Sequence, residues 1–251
     1  MKLNTIHHGD ALKLLDELDD NSVHALITDP PYSSGGAYRA DRKISTGQKY
    51  FTSITSQSCD LQGDNMDAFA WLRWCHYWQS IAFDKMIDGG NIMQFTDWRQ
   101  LPAAATAIQM SGFIFRGIFV WDKGGGAIHP NRKQFSTQCE FVVYGTKGAS
   151  EFDHDRTSWA GCMSVPAMQS KIRSHPTQKP LSVLRHLVQA APPGGLICDP
   201  FAGSGVTLKA AAMEGRQFVG FEISDKYYQS AREMLEGEYG LFKDRGDNHE
   251  L

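Results

Sequence analysis

Apolar runs of strand length recur along this chain with amphipathic stretches of helical length between them, and this alternation restricts its architecture more than any other feature. Strands are expected at 3–7, 23–28, 91–95, 113–121, 140–144, 196–198 and 217–222, and helical patterns at 11–18, 66–87, 98–110, 181–191, 206–214 and 225–236. Strands that alternate with helices build a mostly parallel sheet, because a parallel connection needs a long crossover. The pair 113–121 and 140–144 lacks a helix between and predicts an antiparallel edge. With 251 residues, 41% hydrophobic and 21% charged, the chain can bury one sizeable core, so a single domain is expected over 1–251. Two long stretches, 33–65 and 146–174, lack a period, and both carry basic residues and aromatics (Tyr38, Tyr50, Phe51; Phe152, Trp159). Aperiodic segments of about 30 residues inside a domain are usually functional or disordered. The closing LFKDRGDNHEL reads as a frayed acidic tail.

Several classes fall away. The glycines and prolines follow no collagen-like or repeat period. No apolar run approaches the roughly 18 to 20 residues of a membrane span, and MKLNTIHHGD is too polar for a signal peptide, so a cytoplasmic protein is expected. The five cysteines, Cys59, Cys75, Cys139, Cys162 and Cys198, form no C-x-x-C pair and are expected as reduced, mostly buried thiols with no metal site. A formal net charge of −3 counts at first against nucleic acid as a partner. The charge is segregated, however. Acids crowd 10–29 and 222–250, whereas basic residues cluster at Arg39, Arg42, Lys43 and Lys49, at Arg132 and Lys133, and at Lys171, Arg173 and Lys179.

Three motifs carry chemistry. Asp29-Pro30-Pro31-Tyr32 follows the apolar strand VHALIT directly. Ligands of open α/β sheets bind at the carboxyl ends of strands. Paired prolines contribute no backbone donors and hold a stiff extended turn, which leaves carbonyls to accept hydrogen bonds. A carboxylate, a carbonyl and an aromatic face suit an exocyclic NH₂ on a planar base. An ordinary X-Pro-Pro strand exit is the plainer reading of the tetrapeptide alone. The second motif, Asp199-Pro200-Phe201-Ala202-Gly203-Ser204-Gly205, follows a short apolar strand and leads into VTLKAAAME. Its glycines let a ligand approach the backbone closely. The next strand, QFVGFE, ends in Glu222, 19 residues after Gly203, where a mononucleotide-binding unit holds ribose hydroxyls. The dinucleotide fingerprint fails at Leu208, which disfavours an NAD enzyme. The third motif, His175-Pro176-Thr177-Gln178-Lys179-Pro180, lies just before a helix and also suits a plain helix start.

Together these motifs resemble the S-adenosylmethionine-dependent DNA amino-methyltransferases, which act on adenine N6 or cytosine N4. Their order, DPPY first and FAGSG near the C-terminus, resembles the β class. The likeness runs from about Thr5 to Met234 and includes HHGDALKLL, FVWDKGGG and CEFVVYGTK. It implies a Rossmann-like seven-stranded sheet in circularly permuted order, mostly parallel with an antiparallel edge strand. The strand ending in Glu222 should then lie beside the first strand, and those ending at Asp29 and Asp199 should be neighbours.

The resemblance also implies site residues. Asp29, Pro30, Pro31 and Tyr32 would be catalytic. Asp199, Pro200, Phe201, Ala202, Gly203, Ser204 and Gly205 would wrap the methionine and ribose of S-adenosylmethionine, and Glu222 the ribose hydroxyls. Asp10 and Ala11 would recognise its adenine, with Thr177 and Lys179 at the methionine end. The partner would be double-stranded DNA with its target base flipped out, and the protein a monomer or homodimer. Readout would fall to the insertions 33–65 and 146–174 and the loop 123–138, through Arg39, Arg42, Lys43, Lys49, Arg132, Lys133, Lys171 and Arg173. A leading Asp in the tetrapeptide resembles the adenine enzymes, and the lack of a Pro-Cys pair disfavours carbon-directed cytosine methylation. Cytosine N4 methylation, methylation of RNA or a protein glutamine, and an inactive DNA-binding relative are the alternatives. Trp71, Trp74, Trp78, Phe69 and Ile81 are expected as a buried helix face. His7-His8 is expected to end a strand without a metal, and His129-Pro130-Asn131 to turn. Trp121 and Tyr144 are minor candidates for the base pocket.

Overall fold

The computed structural model describes residues 1–32, 66–124, 135–149, 158–166 and 179–239. The strands are β1 (Thr5–His8), β2 (Val23–Thr28), β3 (Met86–Thr96), β4 (Ile114–Asp122), β5 (Cys139–Thr146), β6 (Cys162–Ser164), β7 (Leu196–Asp199) and β8 (Gln217–Glu222). The helices are α1 (Ala11–Asp16), α2 (Ala68–Lys85), α3 (Leu101–Met110), α4 (Leu181–Leu187), α5 (Val206–Met213) and α6 (Asp225–Tyr239), with a 3₁₀ turn, Val188–Ala190, after α4.

The strands form one eight-stranded sheet in the order β1-β8-β7-β2-β3-β5-β4-β6. β1 and β8 run parallel with His8 opposite Glu222, and β2 runs parallel to both β7 and β3. Both expected neighbour pairs are therefore present. β5 runs antiparallel to β3 and to β4, so the reversed strand lies inside this end of the sheet and β4 continues outward. The eighth strand, β6, pairs in parallel with Val120–Asp122. It falls inside 146–174, which reads as aperiodic because three residues are too short to show alternation.

Strands β2 and β7 are apolar nearly throughout because both faces of the sheet are covered. Ala25, Ile27 and Ile197 face one core, which α4, α5 and α6 close with Leu184, Leu208 and Leu235. Leu26, Cys198 and Val219 face the other, closed by α1, α2 and α3 with Leu15, Trp78 and Ile108. At Gly220 a Cβ would meet Leu208 Cδ1 at 2.6 Å, so glycine lets α5 lie close on β8. Cys75 and Cys198 are buried free thiols, Cys139 is half-buried and Cys162 exposed, while Cys59 lies outside the described residues. Among the described residues no helix is long and apolar enough to cross a membrane.

Candidate active site

The two turns that the sequence singles out stand side by side at the carboxyl ends of β2 and β7. Thr28, the last residue of β2, donates from its hydroxyl to Asp199 Oδ1 at 2.7 Å, and the Phe201 amide donates to the same oxygen at 3.1 Å. Asp199 is 2% exposed. Burial pushes its carboxyl up to about 7, against the hydrogen bonds from Thr28, Thr207 and Phe201. Asp199 thus pegs the glycine-rich turn to the strand that carries Asp29.

That turn closes on itself before α5, with Gly205 N–H donating to the Ala202 carbonyl at 2.7 Å. Gly205 has φ of 75°, in the left-handed region, and a Cβ there would lie 3.0 Å from Ala231 Cβ. Gly203 N–H donates to Glu222 Oε2 at 2.9 Å and Ser224 N–H to Oε1 at 2.7 Å. Two backbone donors therefore hold the Glu222 carboxylate at the tip of β8, while burial pushes its pKa above the usual carboxylate range. Gly9 N–H donates to the Glu222 carbonyl at 2.9 Å. Asp10 follows and caps α1, accepting from Leu12 N–H at 3.0 Å, and Ala11 is buried. Asp10, Ala11, Glu222 and residues 199–205 thus share the carboxyl end of β1, β8 and β7. Pro200, Ala202 and Ser204 are buried and Phe201 half-buried. Thr177 lies outside the described residues.

The Asp29 turn is held from three sides. Tyr32 donates its hydroxyl to Asp29 Oδ1. Lys179, expected at the methionine end of a cofactor, places its ammonium 2.8 Å from Asp29 Oδ2 and 2.9 Å from Glu140 Oε2. The Glu140 contact is an ion pair without the alignment of a hydrogen bond. Glu140 Oε1 accepts from Lys123 at 3.1 Å. The Lys179 ammonium also lies 5.1 Å from the Tyr32 ring centre and 5.3 Å from that of Phe95, within cation–π range. From the third side, the Trp71 indole N–H donates to the Pro31 carbonyl at 2.6 Å.

Charge sets the character of these groups. Burial raises the Asp29 carboxyl above the usual range and Glu140 adds to this, while Lys179 opposes it. Burial would raise Glu140 too, but Lys179 and Lys123 together outweigh it and hold Glu140 low. Burial likewise works against the Lys179 ammonium, and Asp29 and Glu140 outweigh it, so this lysine stays charged. Burial first, and then the Asp29 charge, push the Tyr32 phenol far up.

The basic residues expected on DNA, Arg39, Arg42, Lys43, Lys49, Arg132, Lys133, Lys171 and Arg173, all lie outside the described residues, as does His129-Pro130-Asn131. Trp71 and Trp78 are fully buried as expected, whereas Phe69 is 80% exposed at the first turn of α2. The Trp121 indole donates to the Val165 carbonyl at 2.8 Å, and Tyr144 is half-buried with its hydroxyl against Gly117. His7 and His8 bond to the carbonyls of Lys2 and Ile223. Sequence reasoning did not single out Glu140, Lys123 or the Trp71 N–H. The one available signal was a charge at the mouth of an apolar strand, as in Cys139–Thr146 and Ile114–Asp122.

Fold and turns define a class, a doubly wound α/β sheet with two turns side by side at the carboxyl ends of adjacent parallel strands. A family described as DNA methylase, the N6/N4 methyltransferases, matches residues 23–233. The chain is 24% identical over 249 residues to the type II methyltransferase M2.DpnII of Streptococcus pneumoniae, covering 92% of this chain and 89% of that one. Its fold is similar to that of M1.HpyAVI in complex with SAM, with a TM-score of 0.66, 21% identity, and 92% of this chain and 98% of that one covered. It is also similar to the cytosine-N4-specific PvuII DNA methyltransferase, with a TM-score of 0.68, 16% identity, and coverage of 96% and 86%. The chain belongs to the DNA methylase family, whose members methylate adenine N6 or cytosine N4.

Proposed function

We propose that this protein transfers a methyl group from S-adenosylmethionine to the N6 amine of adenine in duplex DNA, by base flipping and direct transfer. The observation that carries this reading is the Thr28–Asp199 bond, which sets the Asp29 turn directly beside the glycine-rich turn. The residues present fit the cofactor. The Glu222 carboxylate, fixed by Gly203 and Ser224, suits ribose hydroxyls, and Gly205, at φ of 75°, lets the turn close tightly against Ala231 of α6. Asp10 and Ala11 stand beside Glu222, where an adenine attached to that ribose would lie. Bound there, S-adenosylmethionine supplies an electrophilic methyl group.

The protein's own residues prepare the amine. A base inside a duplex cannot reach the methyl group, and flipping it out costs a few kcal/mol, of which stacking on Tyr32 returns about 1 to 3 kcal/mol. The amine is a poor nucleophile while its lone pair is delocalised into the ring. Asp29 accepts one of its hydrogens and a proline carbonyl the other. The Pro31 carbonyl already accepts from Trp71 and keeps a second lone pair, so the Pro30 or the Pro31 carbonyl serves as that second acceptor. The nitrogen pair then forms the new N–C bond as the S–C bond breaks onto sulfur, and the surplus proton leaves along the hydrogen bond to Asp29. A bond to a charged acceptor contributes about 1.5 to 3 kcal/mol, or one to two decades of rate if it strengthens in the transition state. The leading Asp29 supports adenine over cytosine, as the resemblance implies. The expected outcome is that Asp29→Ala abolishes methyl transfer to unmethylated DNA while calorimetry still registers cofactor binding. Nucleoside mass spectrometry of the product should show N6-methyladenine, and N4-methylcytosine as the sole product would overturn the choice of base.

A further inference from the structure

We infer that Lys179 is a positioning residue that keeps the Asp29 carboxylate an acceptor aimed at the target amine, within a buried ion chain in which Glu140 holds the same ammonium in place and shares its charge with Asp29. This rests on the reading of Asp29 just given. The chain runs Lys123, Glu140, Lys179, Asp29 with alternating sign, through contacts of 3.1, 2.9 and 2.8 Å. Its members come from the end of β4, from β5, from the residue pair before α4 and from the end of β2, so four separate parts of the fold converge on one carboxylate.

Chemistry supplies the reason for such a device. A carboxylate accepts on both oxygens, whereas a protonated carboxyl donates from one and would point a hydrogen at the amine. Asp29 lies in a setting that favours the protonated form, and the contacts that offset this are the Lys179 ammonium first and then the hydrogen bond from Tyr32. Lys179 is 7% exposed and bonds Oδ2, the oxygen that Tyr32 does not occupy. An unpaired buried ammonium is itself costly. Glu140 offsets that cost and fixes the ammonium in place, and Lys123 in turn balances Glu140. The Tyr32 and Phe95 rings confine the ammonium further. Among the described residues, the charged groups that face Asp29 are Lys179, Glu140 and, across the Thr28 bond, Asp199. Asp97 acts on Tyr32 from the end of β3.

The test uses the full chain, saturating S-adenosylmethionine and single-turnover methylation of duplex DNA across pH. Lys179→Met removes the cation, so Asp29 holds its proton to higher pH. The acidic limb of the rate should move up, the plateau should fall about 10- to 100-fold, and calorimetric cofactor affinity should stay unchanged. Glu140→Gln removes a negative neighbour and leaves Lys179 to Asp29 alone, so its acidic limb should move down. Opposite shifts from two partners of one contact are not a consequence of loosened packing. If Lys179→Met does not fold, the downward shift in Glu140→Gln decides by itself. Weakened cofactor affinity with an unmoved limb would overturn the ion chain and return Lys179 to the cofactor, and equal shifts in both variants would also overturn it. Absence of methyl transfer by the unaltered protein would instead overturn the reading beneath, and is scored separately.

Discussion

Asp29 and Asp199 end neighbouring parallel strands, and their surroundings give them different work. Asp29 has an ammonium beside it and one face toward the site, whereas Asp199 is sealed among the Thr28 and Thr207 hydroxyls and the Phe201 N–H. The raised carboxyl of Asp199 has a consequence for stability. Its folded value of about 7 lies above the ordinary aspartate value of 3.8, so between the two the folded state holds a proton that the unfolded chain releases. The stability this contributes is present at low pH and is lost as pH rises through about 7. Asp199→Asn, which keeps the shape and stays neutral, should therefore flatten the decline in urea-measured stability between about pH 4 and about pH 7, by an amount on the order of a few kcal/mol. Asp29 acts in the same direction, so the flattening should be partial. An unchanged slope in the variant would show that Asp199 is already ionised. Both aspartates, the glycine-rich turn and Glu222 are legible in the sequence, since each directly follows or ends an apolar strand. Glu140 and Lys123 are not, because a lone charge on a strand has no local pattern, and only the partner it meets gives it meaning.

Helix α2 shows the same division one level up. Its periodicity marks Trp71 and Trp78 as buried, and they are. What they hold was not legible. Trp71 reaches the Pro31 carbonyl, 40 residues earlier, and Trp74 and Trp78 pack against the Phe201 ring with centres 5.3 and 5.4 Å away. One helix therefore seats both turns of the site. Trp71→Phe keeps a ring in the core but removes the N–H. It should cost about 1 to 3 kcal/mol of stability in denaturant melts, and lower single-turnover methylation while cofactor affinity is retained. Unaltered turnover would show that the carbonyl needs no such partner. At the far end of the sheet the element reading went astray over β6, because three residues cannot display a period. The antiparallel β5 also turned out to have β4 outside it.

For the molecule as a whole, a net charge of −3 is compatible with a DNA enzyme because the basic residues gather in segments apart from the acidic helices. Binding to duplex DNA should weaken linearly in log K as log salt rises, with a slope of about −0.9 for each phosphate neutralised. Replacing Lys171 and Arg173 by alanine should make that slope shallower by about 2, measured by fluorescence anisotropy over a salt series. An unchanged slope would place those side chains off the DNA. The permuted motif order also becomes physical at this level, since β1 lies against β8 and joins the first residues of the fold to the cofactor half. Periodicity and strand-end motifs were enough to specify a mostly parallel α/β sheet and the residues of both turns, because burial on two faces and turn chemistry are local demands written in consecutive residues, while the adjacency of the strands ending at Asp29 and Asp199 followed from the family resemblance. The ion chain at Asp29, the Trp71 support, the peg through Asp199 and the place of β5 arise from contacts between segments far apart in the chain. Their partners are chosen by how the layers pack, and no local pattern records that choice.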